Sequence, residues 1–205
     1  MVLRWYVILI IIYSLSVTAQ NSQIPKIIEI RQAGGSTQDQ EKFPGANILF
    51  KTLNKRVKLF HEGALIESDK AYFYSKDNYF RAMGDVIYTQ GDSLQMTCNT
   101  IEYDGKTKTA IATGNVDLKK SDMTLKTEKL NLDRVNDKAF YNTKGVVLDS
   151  ASTLTSQRGT YFMAENKYRF TSDVTILNPK YIVNSEQLDY FTKLNQAYLL
   201  SLIHI

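Results

Sequence analysis

The sequence predicts an all-β protein built from stacked two-strand repeats of about 29–30 residues, and three observations carry that reading. Apolar residues recur at a fixed period, the runs between turns alternate apolar and polar with period two, and 13 Tyr with 9 Phe favour strands over helices. Helical spacing of apolar residues is absent. Pro25, Pro44 and Pro179 fall near segment edges, where no central ladder hydrogen bond is lost.

The repeat emerges from pairs seven residues apart: Ile66 and Phe73, Met96 and Tyr103, Leu125 and Leu132, Leu154 and Tyr161, Val183 and Tyr190. Leading and trailing members both step by 30, 29, 29 and 29 residues. A second series, read as a turn and the start of the next strand, runs Gly84-Asp85-Val86, Gly114-Asn115-Val116, Gly145-Val146-Val147 and Ser172-Asp173-Val174, with looser steps of 30, 31 and 27. A residue inserted before Gly145 blurs the register there and is consistent with a bulge. Val57, 29 residues before Val86, marks a partial first unit.

Within a unit, Leu94, Met96 and Cys98 alternate with Gln95, Thr97 and Asn99, and Leu130 and Leu132 alternate with Lys129, Asn131 and Asp133. These are half-buried strands. Val116 with Leu118 and Val174 with Ile176 repeat the pattern, and the clusters Asp104-Gly105-Lys106, Asn136-Asp137-Lys138 and Glu165-Asn166-Lys167 sit at hairpin distances. A unit of two strands and two turns cannot bury its apolar face alone, so successive units stack into one continuous sheet or roll.

The ends depart from the repeat. Arg4 followed by the apolar run Trp5 to Val17 reads as a secretory signal, residues 1–19, with Val17 and Ala19 placing the cut before Gln20. An uncleaved anchor is the competing reading, but the run is short against the roughly 20 apolar residues of a spanning helix. Residues 20–47 hold one short strand-like run, Lys26 to Arg31, and a Gly/Ser/Gln-rich flexible loop, Gln32 to Gln40. Residues 48–199 form the repeat domain. Leu200-Ser201-Leu202-Ile203-His204-Ile205 matches the in-frame product of a common sequencing adapter, so residues 200–205 are set outside the functional reading and the native gene is expected to continue.

Composition excludes several functions. A net charge of +4 from interspersed charges leaves no nucleic-acid footprint. Cys98 is the only cysteine, so stability rests on burial and strand pairing rather than on a disulfide. His61 and His204 cannot build a metal site or a nucleophile with its base. His61 reads as a strand-end residue and Cys98 as a small buried hydrophobe. Asp69, Asp92, Asp104, Asp122 and Asp133 read as turn caps, and Lys119, Lys120, Lys126 and Lys129 as a solvated edge that blocks strand addition. No catalytic residue and no cofactor is expected.

His61 to Tyr74, Asn78 to Val86 and Gly91 to Leu94 resemble the OstA-like family, and Ala110-Ile111-Ala112-Thr113-Gly114-Asn115-Val116 resembles a turn of lipopolysaccharide-transport components. The resemblance covers about Leu49 to Tyr190, and the Gly145 and Ser172 turns depart from its full motif. It implies an antiparallel β-jellyroll, open along one side, in the periplasm or at the outer membrane. Its apolar interior would hold acyl chains of lipopolysaccharide, and its end strands would pair with other jellyroll components or with a second copy. An acyl chain in water costs about 0.8 kcal/mol per CH₂, so such a lipid needs shelter to cross an aqueous space. Ile66, Val86, Met96, Val116, Leu125, Leu154, Val174 and Val183 are the groove candidates. Residues seven apart on a straight strand face opposite ways, so the trailing row from Phe73 to Tyr190 is expected outside unless each strand bends. A structural β-solenoid of the cell envelope would share the period, with an interior packed solid.

Overall fold

The computed structural model describes residues 26–92, 94–120, 123–149, 152–194 and 196–200. The expected signal segment and residues 201–205 lie outside the described residues.

All regular structure among the described residues is antiparallel β-strand. The short strands β1 (Glu29–Gln32), β2 (Gly35–Thr37), β3 (Asn47–Phe50), β4 (Val57–His61), β5 (Ala64–Ser68) and β6 (Lys70–Tyr74) come first. Four long strands follow: β7 (Tyr79–Gln90), β8 (Leu94–Asp104), β9 (Thr109–Lys120) and β10 (Met123–Asp133). Then come the short β11 (Lys138–Tyr141), β12 (Gly145–Leu148), β13 (Thr153–Ser156) and β14 (Arg158–Phe162), the long β15 (Lys167–Asn178) and β16 (Tyr181–Phe191), and β17 (Gln196–Leu200).

These strands make one jellyroll of two facing halves. One half runs β1–β4–β5–β7–β8–β9–β10–β12–β13–β15–β16, the other β2–β3–β6–β7–β8–β9–β10–β11–β14–β15–β16–β17. The long strands belong to both halves, and each short pair, such as β5 and β6, is a long strand interrupted where it changes half.

The change of half happens at a corner. The pairing of β7 with β8 slips between Met83 and Val86, that of β8 with β9 between Thr97 and Thr100, and that of β15 with β16 between Thr171 and Val174. At these slips Gly84 and Asp85 have φ of 81° and 42°, Gly114 and Asn115 81° and 50°, and Ser172 and Asp173 65° and 55°. Two successive left-handed residues turn the strand sharply, and an extra residue opposite the partner is a bulge. Gly84, Gly114 and Ser172 therefore mark mid-strand corners, not the turn and strand start expected from the sequence, whereas Gly145 does open β12. Gly114 also meets its neighbour closely, because a Cβ there would stand 2.9 Å from the Asn99 Cβ.

Facing each corner is a small residue with a hydroxyl or thiol: Ser68, Cys98, Thr127, Ser156 and Ser185, all buried and all two positions after a leading apolar residue. Three of the hydroxyls donate to the carbonyl two residues on, Ser68 to Lys70 at 3.2 Å, Ser156 to Arg158 at 3.0 Å and Ser185 to Gln187 at 2.7 Å. Each bond satisfies a carbonyl where the strand leaves its ladder.

Because the strands bend between them, both apolar rows point inward. Phe73, Tyr103, Leu132 and Tyr161 are buried and Tyr190 is half-buried, which overturns the expectation of an outward trailing row. The segment Gln32 to Gln40, expected as a flexible loop, carries β2, which pairs through Gly35 and Phe50, Ser36 and Leu49, and Thr37 and Ile48. The bulge expected near Gly145 is a break between β11 and β12, with Lys144 at a φ of 21°.

Candidate functional site

The interior between the halves is the candidate site, and its character changes along the roll. Of the groove candidates, Ile66, Val86, Met96, Val116 and Val174 are sealed at 0 or 1% exposure, in one continuous core with Leu59, Tyr88 and Tyr103. Leu125, Leu154 and Val183 are half-buried. All eight belong to the same half of the roll, and Phe80, Leu130, Leu132, Tyr161 and Phe170 face them from the other.

Opposite the corners, hairpin turns of the two halves meet along a seam, and polar groups close part of it. Arg134, just after β10, donates to the Glu62 carbonyl at 2.8 Å, the His61 carbonyl at 3.3 Å and the Tyr103 hydroxyl at 2.7 Å. A guanidinium only donates, so the Tyr103 hydroxyl accepts from Arg134 and donates to His61 Nδ1 at 2.7 Å. His61 Nε2–H then donates to the Lys26 carbonyl at 2.9 Å. Lys108 completes the closure at 2.8 Å from Glu62, and that bond holds the Glu62 carboxyl below the usual carboxylate range. Burial pushes the Tyr103 and Tyr88 hydroxyls up, so both stay neutral. Nothing in the sequence pattern pointed to Arg134. His61, read as a strand-end residue, does end β4, and it is buried in this cluster.

Further along, a cation on a phenol crosses the seam. Lys120 at the end of β9 donates to the Tyr161 hydroxyl at the end of β14 and lies 4.3 Å from the centre of its ring. Lys120, expected on a solvated edge, thus turns into the seam. Beneath it is an apolar cavity of about 30 Å³ lined by residues that include Leu118, Met123, Leu125, Tyr141, Tyr168 and Phe170. That space takes a few atoms and not a chain, so an acyl chain enters only if the halves part.

The remaining chemistry is structural. Burial pushes the Cys98 thiol up to about 12, which leaves it an inert core group. Asp104 and Asp133 accept from backbone N–H groups of the turns after them, as expected, whereas Asp69 faces Lys51 and Arg56 at a corner. Asp122 lies outside the described residues. Among the described residues no group of three or more His, Cys, Asp and Glu could hold a metal ion.

The sequence profile of the OstA-like protein family matches residues 26–186. Among curated proteins nothing matches. One similar solved structure is LptH from Pseudomonas aeruginosa, described as the LptA-homologous periplasmic component of the conserved lipopolysaccharide transport device. It is 17% identical with a TM-score of 0.29, over 66% of this chain and 80% of that one. Another is a mutant TCP10 domain of Danio rerio CPAP, 12% identical with a TM-score of 0.14, over 69% of this chain and 95% of that one.

Proposed function

The chain belongs to the OstA-like protein family, and we propose on that footing that it is a periplasmic, non-enzymatic carrier that shelters acyl chains of lipopolysaccharide between the halves of its roll. The observation that carries the reading is the two inward rows. A bend in every strand turns both Met96 and Tyr103, or Leu125 and Leu132, toward one apolar interior. Where the halves part, such an interior replaces water around a chain, at about 0.8 kcal/mol per CH₂. Ile66, Val86, Met96, Val116, Leu125, Leu154, Val174 and Val183 form one wall of this groove. The outer strands supply the partner surfaces. β17 pairs only with β16 among the described residues, and its residues are exposed, so another jellyroll component or a second copy can add a strand there.

A structural envelope protein is the second reading, favoured by the sealed core from β4 to β9. The two are separated by competition for a fluorescent lipid A probe bound to the purified full chain. Carrier function predicts that intact lipopolysaccharide displaces the probe and that its fully deacylated form does not. Equal displacement by both forms, or no probe binding, overturns the carrier reading.

A further inference from the structure

The seam is closed in two different ways, and the difference bears on where a ligand is admitted. Over β4 to β8 it is held by Arg134, His61, Tyr103, Glu62 and Lys108, which tie backbone and side chains of both halves together over a core in which Ile66, Val86 and Met96 are sealed. Between β9 and β14 Lys120 rests on Tyr161 across it, over the apolar cavity. This cavity lies in the middle of the roll, with paired strands on both sides of it.

Its chemistry is that of an amphiphile site. Among the described residues that line it, Lys120 is the charged one. A cation resting on a phenol ring and hydroxyl gives up a modest contact when it leaves, and gains a stronger charge-assisted bond if the arriving group is anionic. The apolar walls are half-buried where they meet the seam, at Leu125, Tyr168 and Met123, so widening there exposes little surface that is not already wet.

Resting on the carrier reading, we infer that Lys120 and Tyr161 form the lid of the admission site, and that the ligand it takes is an acyl amphiphile whose anionic group replaces Tyr161 as the partner of Lys120. The sealed stretch from β4 to β8 is then a closed wall rather than a point of entry. A free fatty acid and the phosphorylated glucosamine of lipid A both offer an acyl chain beside an anion, and the test separates them.

The probe is a dodecanoate carrying a diazirine in its chain, with its glycerol monoester as the uncharged control. Purified full chain is irradiated with each, and the labelled peptides are mapped by mass spectrometry. The inference predicts labels on Met123 to Leu125, Tyr141 to Val147 and Tyr161 to Phe170, and none on Val57 to Met96. Lys120→Gln, which keeps a hydrogen-bond donor for Tyr161, should lower labelling by the anionic probe about fivefold and leave the ester unchanged. Unlabelled lipid A competing below the concentration at which dodecanoate competes identifies the lipid as the source, and the reverse identifies the fatty acid. Labels spread evenly along the roll would overturn the admission site and leave the carrier reading standing. Site-specific labels indifferent to head charge and to Lys120→Gln would overturn the role of Lys120. Absence of any label would overturn the carrier reading itself.

Discussion

Met96 and Tyr103 lie seven residues apart on β8 and are both fully buried in the same interior. A straight strand would point them to opposite faces, so the corner at Cys98 and Asn99 sets the shape of the roll. The repeat of about 29–30 residues is the spacing of such corners.

Gly114→Ala should therefore be costly. Gly114 has a φ of 81°, and an added Cβ would stand 2.9 Å from the Asn99 Cβ. The left-handed backbone alone costs about 1 kcal/mol and the contact adds to it, giving about 2–3 kcal/mol in urea unfolding. Gly63→Ala, at a φ of 82° with nothing within 4 Å, should lose only the backbone part.

Ser156→Ala tests the corner hydroxyls. Ser156 donates to the Arg158 carbonyl at 3.0 Å, and its oxygen accepts from the Tyr141 hydroxyl at 2.6 Å. Losing it strands the buried Tyr141 hydroxyl and frees the Arg158 carbonyl, and should cost about 1–3 kcal/mol. Adding Tyr141→Phe should recover part of this loss, which the double-mutant cycle measures.

Cys98 occupies the place that serine takes at residues 68, 156 and 185. Cys98→Ser should fold with a change of about 1 kcal/mol or less, since the hydroxyl can bond as its counterparts do. The native thiol, buried and pushed up to about 12, should react with an aromatic disulfide reagent at pH 8 only as fast as the roll opens. Immediate reaction without denaturant would place the thiol outside the core.

Much of this architecture was legible because burial imposes a period on composition. The repeat, the hairpins closed at Asp104 and Asp133 and the burial of Cys98 all follow from residues whose neighbours are set by the ladder. The corners show in the sequence as Gly-(Asp/Asn)-Val, which reads as a turn, since a left-handed pair in mid-strand has the same sequence signature as a hairpin. The row Ser68, Cys98, Thr127, Ser156 and Ser185 carried the missing signal, a small polar residue where each alternating strand should have shown another large apolar one. Arg134 left no signal, because its partners are carbonyls and a hydroxyl 31 to 73 residues away.

Acid should loosen the far end of the roll. Arg169 donates to both oxygens of Asp189 at 2.7 and 2.6 Å, and these bonds hold the Asp189 carboxyl below its usual range. A depressed carboxylate contributes stability that is complete above the unfolded value, near pH 4, and is lost as pH falls through the folded one. Arg169 is 42% exposed, so screening holds the effect to about 1 kcal/mol or less. Asp189→Asn should flatten that part of the acid limb in urea midpoints taken between pH 5 and pH 2.

The most direct test of the carrier function places a photo-crosslinking amino acid at Leu125 or Leu154, facing inward, and at Lys126 or Gln95, facing outward, in Gram-negative cells producing the full chain. Sheltered acyl chains predict lipopolysaccharide adducts at Leu125 and Leu154 and none at Lys126 or Gln95. Equal adducts at inward and outward positions, or none at Leu125 and Leu154 in folded protein, would contradict the account.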